Sequence, residues 1–170
     1  MAGLASTSEP AERGHGLAST DVASAIYGSM LVTVLLAAQS GAETAVARVG
    51  LYVILGIFAF WLTHIWATLV GMRLDGPVTR QIVAEAAREE SPMLGAAVPP
   101  LIALGLGMTG ILAAVDALNL ALWVAVVQLF VWGVAVGRAV GRTWGSAIVV
   151  GIVDLLLGLA IVSLKVFVLH

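Results

Sequence analysis

RVGLYVILGIFAFWLTHIWATLVGMR, residues 48–73, decides the class of this chain. Between Arg48 and Arg73 the only charged or readily protonated side chain is His64. At ~1.5 Å of rise per residue, a helix over 48–72 is about 37 Å long, enough to cross a hydrocarbon core of about 30 Å. Only a helix suits the run: in lipid the backbone must satisfy its own hydrogen bonds, and the stretch lacks the in/out alternation of a barrel strand.

The flanking sequence shares the same solvent. Of 170 residues, 61% are hydrophobic and 11% charged, and mean hydropathy is +1.07, whereas soluble domains carry about 25% charged residues. Polar sequence is too scarce for a separate soluble domain, so 21–170 read as one transmembrane domain behind a disordered tail, 1–20. That tail lacks the basic start and early apolar core of a cleaved secretory signal. Thr20 or Asp21 is placed to cap the first helix. A net charge of −2 without any basic run excludes nucleic acid as a partner. The absence of cysteine removes disulfides, thiolate metal sites and cysteine nucleophiles.

Four further segments meet the length requirement, giving an all-α bundle of five transmembrane helices at about 22–39, 48–72, 93–115, 118–137 and 146–168. Asp116 to Asn119 separate the third from the fourth as a hairpin turn. With the N-terminus inside, Arg13, Arg73, Arg80, Arg88, Arg138 and Arg142 share the cytoplasmic side, leaving Arg48 and Lys165 near the other face. The expected topology is therefore N-in, C-out. Between spans two and three, after the turn Asp75, Gly76, Pro77, an amphipathic helix gathers Val78, Ile82, Val83, Ala86 and Ala87 against Arg80, Gln81, Glu85, Arg88 and Glu89. It is expected to lie in the membrane interface or to cover the cytoplasmic end of the bundle.

Two ionisable residues sit well inside the spans, His64 and Asp154. Each lies roughly 12 Å from the cytoplasmic end of its helix, so the two can share a layer. Tyr27, Ser29 and Gln128 fall near that level, and Pro99 with Pro100 interrupts the third span close by. Tandem prolines remove two backbone donors and free carbonyls that need side-chain or water partners. An imidazole beside a carboxylate can relay a proton. The same residues can equally be interhelical hydrogen-bond glue. Trp61 and Trp132 are deep enough to line a cavity or to belong to a packed aromatic core.

Gly133, Gly137, Gly141 and Gly145 recur every four residues and form a smooth ridge for close helix approach. Gly151, Asp154 and Gly158 place the aspartate on a small-residue face pointing at another helix. No metalloprotease, phosphate-loop or calcium-loop motif is present. The three histidines are scattered, so neither a metal site, a cofactor nor an enzymatic activity is expected.

Tyr27-Gly28, Trp61-Leu62-Thr63-His64 with Ala67, Glu90-Ser91-Pro92, Pro99-Pro100, Gly137-Arg138 with Gly141-Arg142, and the ending Leu164-Lys165-Val166 to His170 resemble a group of small actinobacterial multi-pass membrane proteins without an assigned activity. The resemblance runs nearly the whole chain and implies a bacterial cytoplasmic membrane location. Seven arginines to one lysine fit a high-GC genome. Phe60-Trp61-Leu62-Thr63-His64 is also faintly similar to the aromatic-Trp-x-x-His stretch of the bacterial and lysosomal potassium channels. The Arg-x-x-x-Phe-Ser-Asp signature of those channels is here His15, Ser19, Thr20 and Asp21, without the arginine and phenylalanine. Two functions follow as expectations: conduction or sensing of protons or small ions through the polar layer, or a non-conducting structural or accessory subunit. The lipid bilayer is the expected partner, together with further copies of the chain or an unidentified membrane protein.

Overall fold

A computed structural model describes residues 11–39, 45–73 and 77–169. Among them are seven helices and no strand: α1 (Ala11–Ala37), α2 (Val46–Met72), α3 (Arg80–Glu89), α4 (Ser91–Gly95), α5 (Val98–Met108), α6 (Ala114–Ala139) and α7 (Trp144–Leu169). Three helices are long and apolar enough to cross a membrane: α2, α6 and Trp144–Leu164 of α7. A bent rod, Arg80–Gly95 with Val98–Met108, passes the same test as a pair, and the apolar part of α1, Val22–Ala37, is shorter.

Several boundaries depart from the expected ones. Helix α1 begins at Ala11, so 11–20 are helical where composition suggested a tail, and Thr20 and Asp21 lie within the helix instead of capping it. Residues 1–10, and Asp75 and Gly76 of the anticipated turn, lie outside the described residues. The hairpin between the third and fourth spans falls earlier than Asp116 to Asn119. Gly110, at φ 77°, makes the turn, and Asp116 sits in the first turn of α6, where its carboxylate faces the positive end of the helix dipole. A glycine reaches the left-handed region without steric cost, so it outcompetes a polar tetrad as the turn residue.

Helix α3 has the expected amphipathic character: Ala86 is buried and Ile82 half-buried, whereas Arg80, Gln81, Glu85 and Arg88 are exposed. Thr79 caps it, accepting a hydrogen bond from Ile82 N at 3.4 Å. It is not a free-standing interfacial helix, because it runs through Glu90 into α4 as one rod, bent by 47° from α5. The bend lies at Ala96 and Ala97, where Pro99 and Pro100 cannot donate to Gly95 and Ala96.

Side-chain pairings give the direction of each helix. Tyr27 meets His64 and Leu35 meets Gly56, so α2 returns antiparallel to α1. Ser24 meets Glu90 and Gly28 meets Met93, so the third rod runs parallel to α1. Ala96 meets Gln128 and Gly107 meets Ala117, while Gly137 meets Ala147 and Gly158 meets Leu129. The successive rods therefore alternate in direction.

The most extensive interface joins α6 to α7. A Cβ on Gly133 or Gly151 would collide with the backbone of the facing helix, and one on Gly137 would lie 2.6 Å from Ala147 Cα. Such contacts maximise dispersion attraction, which drives helix association where lipid is as apolar as leucine. Gly158 packs under Leu129, whereas Gly141 and Gly145 face open space. The expected four-glycine ridge is thus two residues long. Helix α6 ends at Ala139, and Gly141, at φ 75°, forms the turn, so the four-residue spacing leaves the helix face.

The apolar core occupies the half of the bundle remote from α3 and the α6–α7 turn. Val32 and Leu36 of α1, Val49, Val53 and Ile57 of α2, Leu104 of α5 and Ala121 of α6 interlock there. Trp61 packs on its edge, and its ring lies 5.5 Å from that of Phe58, which is half exposed, so the cluster it joins is aliphatic.

Candidate functional site

The polar residues gather below this core in three separate places. The first is built on α1, α2 and the α3–α4 junction. Gly28 lets α1 press against Met93, which brings Ser24, one turn earlier, to Glu90. Ser24 Oγ donates to Glu90 Oε2 at 2.5 Å, within the range of a charge-assisted O–H···O⁻ bond. The other carboxylate oxygen, Oε1, lies 3.5 Å from His64 Nε2. The Tyr27 ring flanks the imidazole, with centroids 5.7 Å apart. The Glu90 side chain is 7% exposed and that of His64 46%, so a buried acid is covered by an imidazole that reaches the surface of the bundle.

The second place is the proline break. Gln128 Nε2 on α6 donates to Ala96 O at 3.0 Å and to Ser29 Oγ at 2.9 Å. Ala96 O is the acceptor that the N–H of residue 100 would serve in an unbroken helix, and Pro100 has none. The glutamine amide thus replaces the missing donor. Ser29 Oγ donates in turn to Ala25 O at 2.9 Å, and Gln128 Oε1 is buried without a partner.

The third place is Asp154 on α7. Its carboxylate packs against Gly133 of α6 and makes no ion pair with any described residue. Helices α2 and α7 form no appreciable interface, and His64 pairs with Glu90, so the expected His64 and Asp154 partnership is not formed. Counting residues along a helix gives depth, but the angular position of each helix in the bundle decides which groups at one depth touch.

The Gly151, Asp154 and Gly158 face does point at a neighbouring helix. Pro99 lies instead on an open groove of about 410 Å³ beside α6, lined by Leu120, Trp123, Val127 and Val131.

Glu90 and Ser24 were not among the expected site residues. Glu90 carries a legible signal: it stands four residues after Ala86 and eight after Ile82, on the apolar stripe of its rod, where a solvated carboxylate does not belong. Ser24 stands one turn before Gly28 on the buried face of α1 and has no comparable mark, because serine is tolerated in any helix face within a membrane.

No group of three or more metal-ligating side chains occurs among the described residues. No protein-family model, curated protein or solved structure matches the chain.

Proposed function

We propose that this helical membrane protein senses protons through the His64–Glu90 pair and does not conduct them. The observation that carries the reading is Glu90, a carboxylate buried at the α3–α4 junction and shared between Ser24 of α1 and His64 of α2. Burial of an ionisable group in a membrane bundle is costly and commonly functional. The exposed imidazole supplies access for protons, and among the described residues the ring packed against it is Tyr27. As an imidazolium His64 forms an ion pair with Glu90; as a neutral imidazole it offers the carboxylate at most an uncharged N–H. That change in charge bears on the contact of α1 with α2 and with the α3–α4 junction, which together hold all three groups. The interlocked apolar residues of the remote half favour sensing over flux, since the buried polar side chain set among them, Thr33, spends its hydroxyl on its own helix by donating to Ser29 O at 2.8 Å.

The proposal places the chain in a bacterial cytoplasmic membrane, with five crossings and the N-terminus inside. The alternating rods and the arginines clustered at one end support it. The Gln128 site favours the structural reading for the other half of the polar layer, since its amide is used to repair a broken helix.

The test uses the full chain in liposomes, with Trp61, three residues from His64, as a fluorescent reporter in a background whose other tryptophans are phenylalanine. A pH-dependent signal is expected in the parent and lost in His64→Gln and Glu90→Gln, with helicity retained and no proton flux registered by an internal dye. An unchanged pH response in His64→Gln would refute sensing. Flux that His64→Gln abolishes would convert the assignment to conduction.

A further inference from the structure

We propose that Arg138 and Arg142, positioned around Trp144 at the α6–α7 turn, hold the phosphate of an anionic lipid headgroup. The turn is tightly built. Gly141 N donates to Arg138 O at 3.0 Å and Arg142 N to Gly137 O at 3.1 Å, with Gly141 in the left-handed conformation, the paired bonds of a glycine-terminated helix. Each guanidinium is then anchored once. Arg138 Nη1 donates to Arg142 O at 2.6 Å and its Cζ lies over the Trp144 ring, 4.5 Å from the centroid. Arg142 Nη1 donates to Ser146 Oγ at 3.2 Å. An arginine fork carries five N–H donors, so both retain free donors on an exposed face.

Their charge is also unmatched. The sequence holds no Asp or Glu between Asp116 and Asp154, and neither arginine forms an ion pair with a described residue. Two pre-oriented cations without a carboxylate suit a phosphate, which guanidinium forks bind in a bidentate manner.

Trp144 selects the source of that phosphate. It is 64% exposed, and the neighbouring Val140 is 70% exposed, at the end of two apolar helices. An exposed tryptophan beside arginine at a span terminus belongs at headgroup level. A phosphodiester attached to acyl chains satisfies the arginines and covers Val140 and Trp144 together, whereas a free phosphate satisfies only the charge. The N-terminus of α7 is not needed for the site, because Thr143 Oγ1 already accepts from Ser146 N.

The experiment counts lipids retained by the detergent-purified full chain in native mass spectrometry, with phosphatidylglycerol and phosphatidylcholine offered in equal amounts. The parent is expected to retain phosphatidylglycerol preferentially. Arg138→Gln/Arg142→Gln should lower that preference about tenfold, Arg138→Lys/Arg142→Lys by less, and Arg48→Gln at the opposite end not at all. Glycerol phosphate is added as a soluble competitor and should not displace the lipid at equal concentration. Equal retention of the two lipids, an undiminished preference in the glutamine double variant, or displacement by glycerol phosphate would each overturn the proposal. Should the glutamine variant fail to fold, the lysine pair and Trp144→Phe carry the same comparison.

Discussion

Replacing Gly137 by alanine tests whether backbone contact between α6 and α7 holds the bundle together. The added Cβ would lie 2.6 Å from Ala147 Cα and 2.8 Å from Ala147 Cβ, against an ordinary contact of 3.4 Å or more. Neither atom can rotate away, because one is backbone and the other is fixed to it. The helices must separate locally by about 0.8 Å, and overpacking of this kind costs about 1–3 kcal/mol. Two other glycines calibrate the effect. At Gly158 the obstacle is Leu129 Cδ1 at 2.8 Å, the end of a flexible side chain, and at Gly145 nothing lies within 4 Å. Gly158→Ala should therefore cost less than Gly137→Ala, and Gly145→Ala should be neutral or stabilise by up to about 1 kcal/mol through reduced backbone entropy. Equilibrium unfolding from mild detergent into dodecyl sulfate, followed by far-ultraviolet circular dichroism, gives the order directly. If Gly137→Ala matched Gly145→Ala in stability, close approach of these helices would not be a source of stability and the packing argument would fail.

Two further outcomes follow from the break and from the topology. Gln128→Leu should destabilise by about 1–2 kcal/mol, the cost of leaving Ala96 O without its donor; introducing Pro100→Ala restores a backbone N–H, so the penalty should shrink in that background. Additive effects in the double-mutant cycle would sever the link between glutamine and proline. The native chain has no cysteine, so Thr79→Cys, Thr109→Cys and Thr143→Cys can be read singly with an impermeant thiol reagent in oriented vesicles. The first and third should react from one side of the bilayer and Thr109→Cys from the other, and labelling of all three from one side would exclude the alternating path.

The solvent of this chain was legible from residues 48–73 alone, because a long uncharged run between two arginines has one stable environment. Helix positions were nearly as legible: α2, α6 and α7 fall within a few residues of the apolar segments, since backbone hydrogen bonding in lipid leaves no other option. The repair of the proline break was partly foreseeable, as Pro100 demands a donor, but Gln128 is 28 residues away in sequence and only packing selects it. Boundaries were read less well where two signals competed, as at Gly110 against the polar residues from Asp116 onward.

What the sequence determined by itself was which residues face the expense of being polar in an apolar run, and at what depth. Which of them meet was decided by tertiary structure. His64 and Asp154 sit on α2 and α7, which do not pack together, while the rod carrying Glu90 folds back along α2 and delivers its carboxylate to His64. The physical reason is that rise per residue is a property of one helix, whereas the azimuth of a side chain relative to its neighbours depends on how every helix packs. Gly28 against Met93, and Gly137 against Ala147, are the close approaches through which that packing is set.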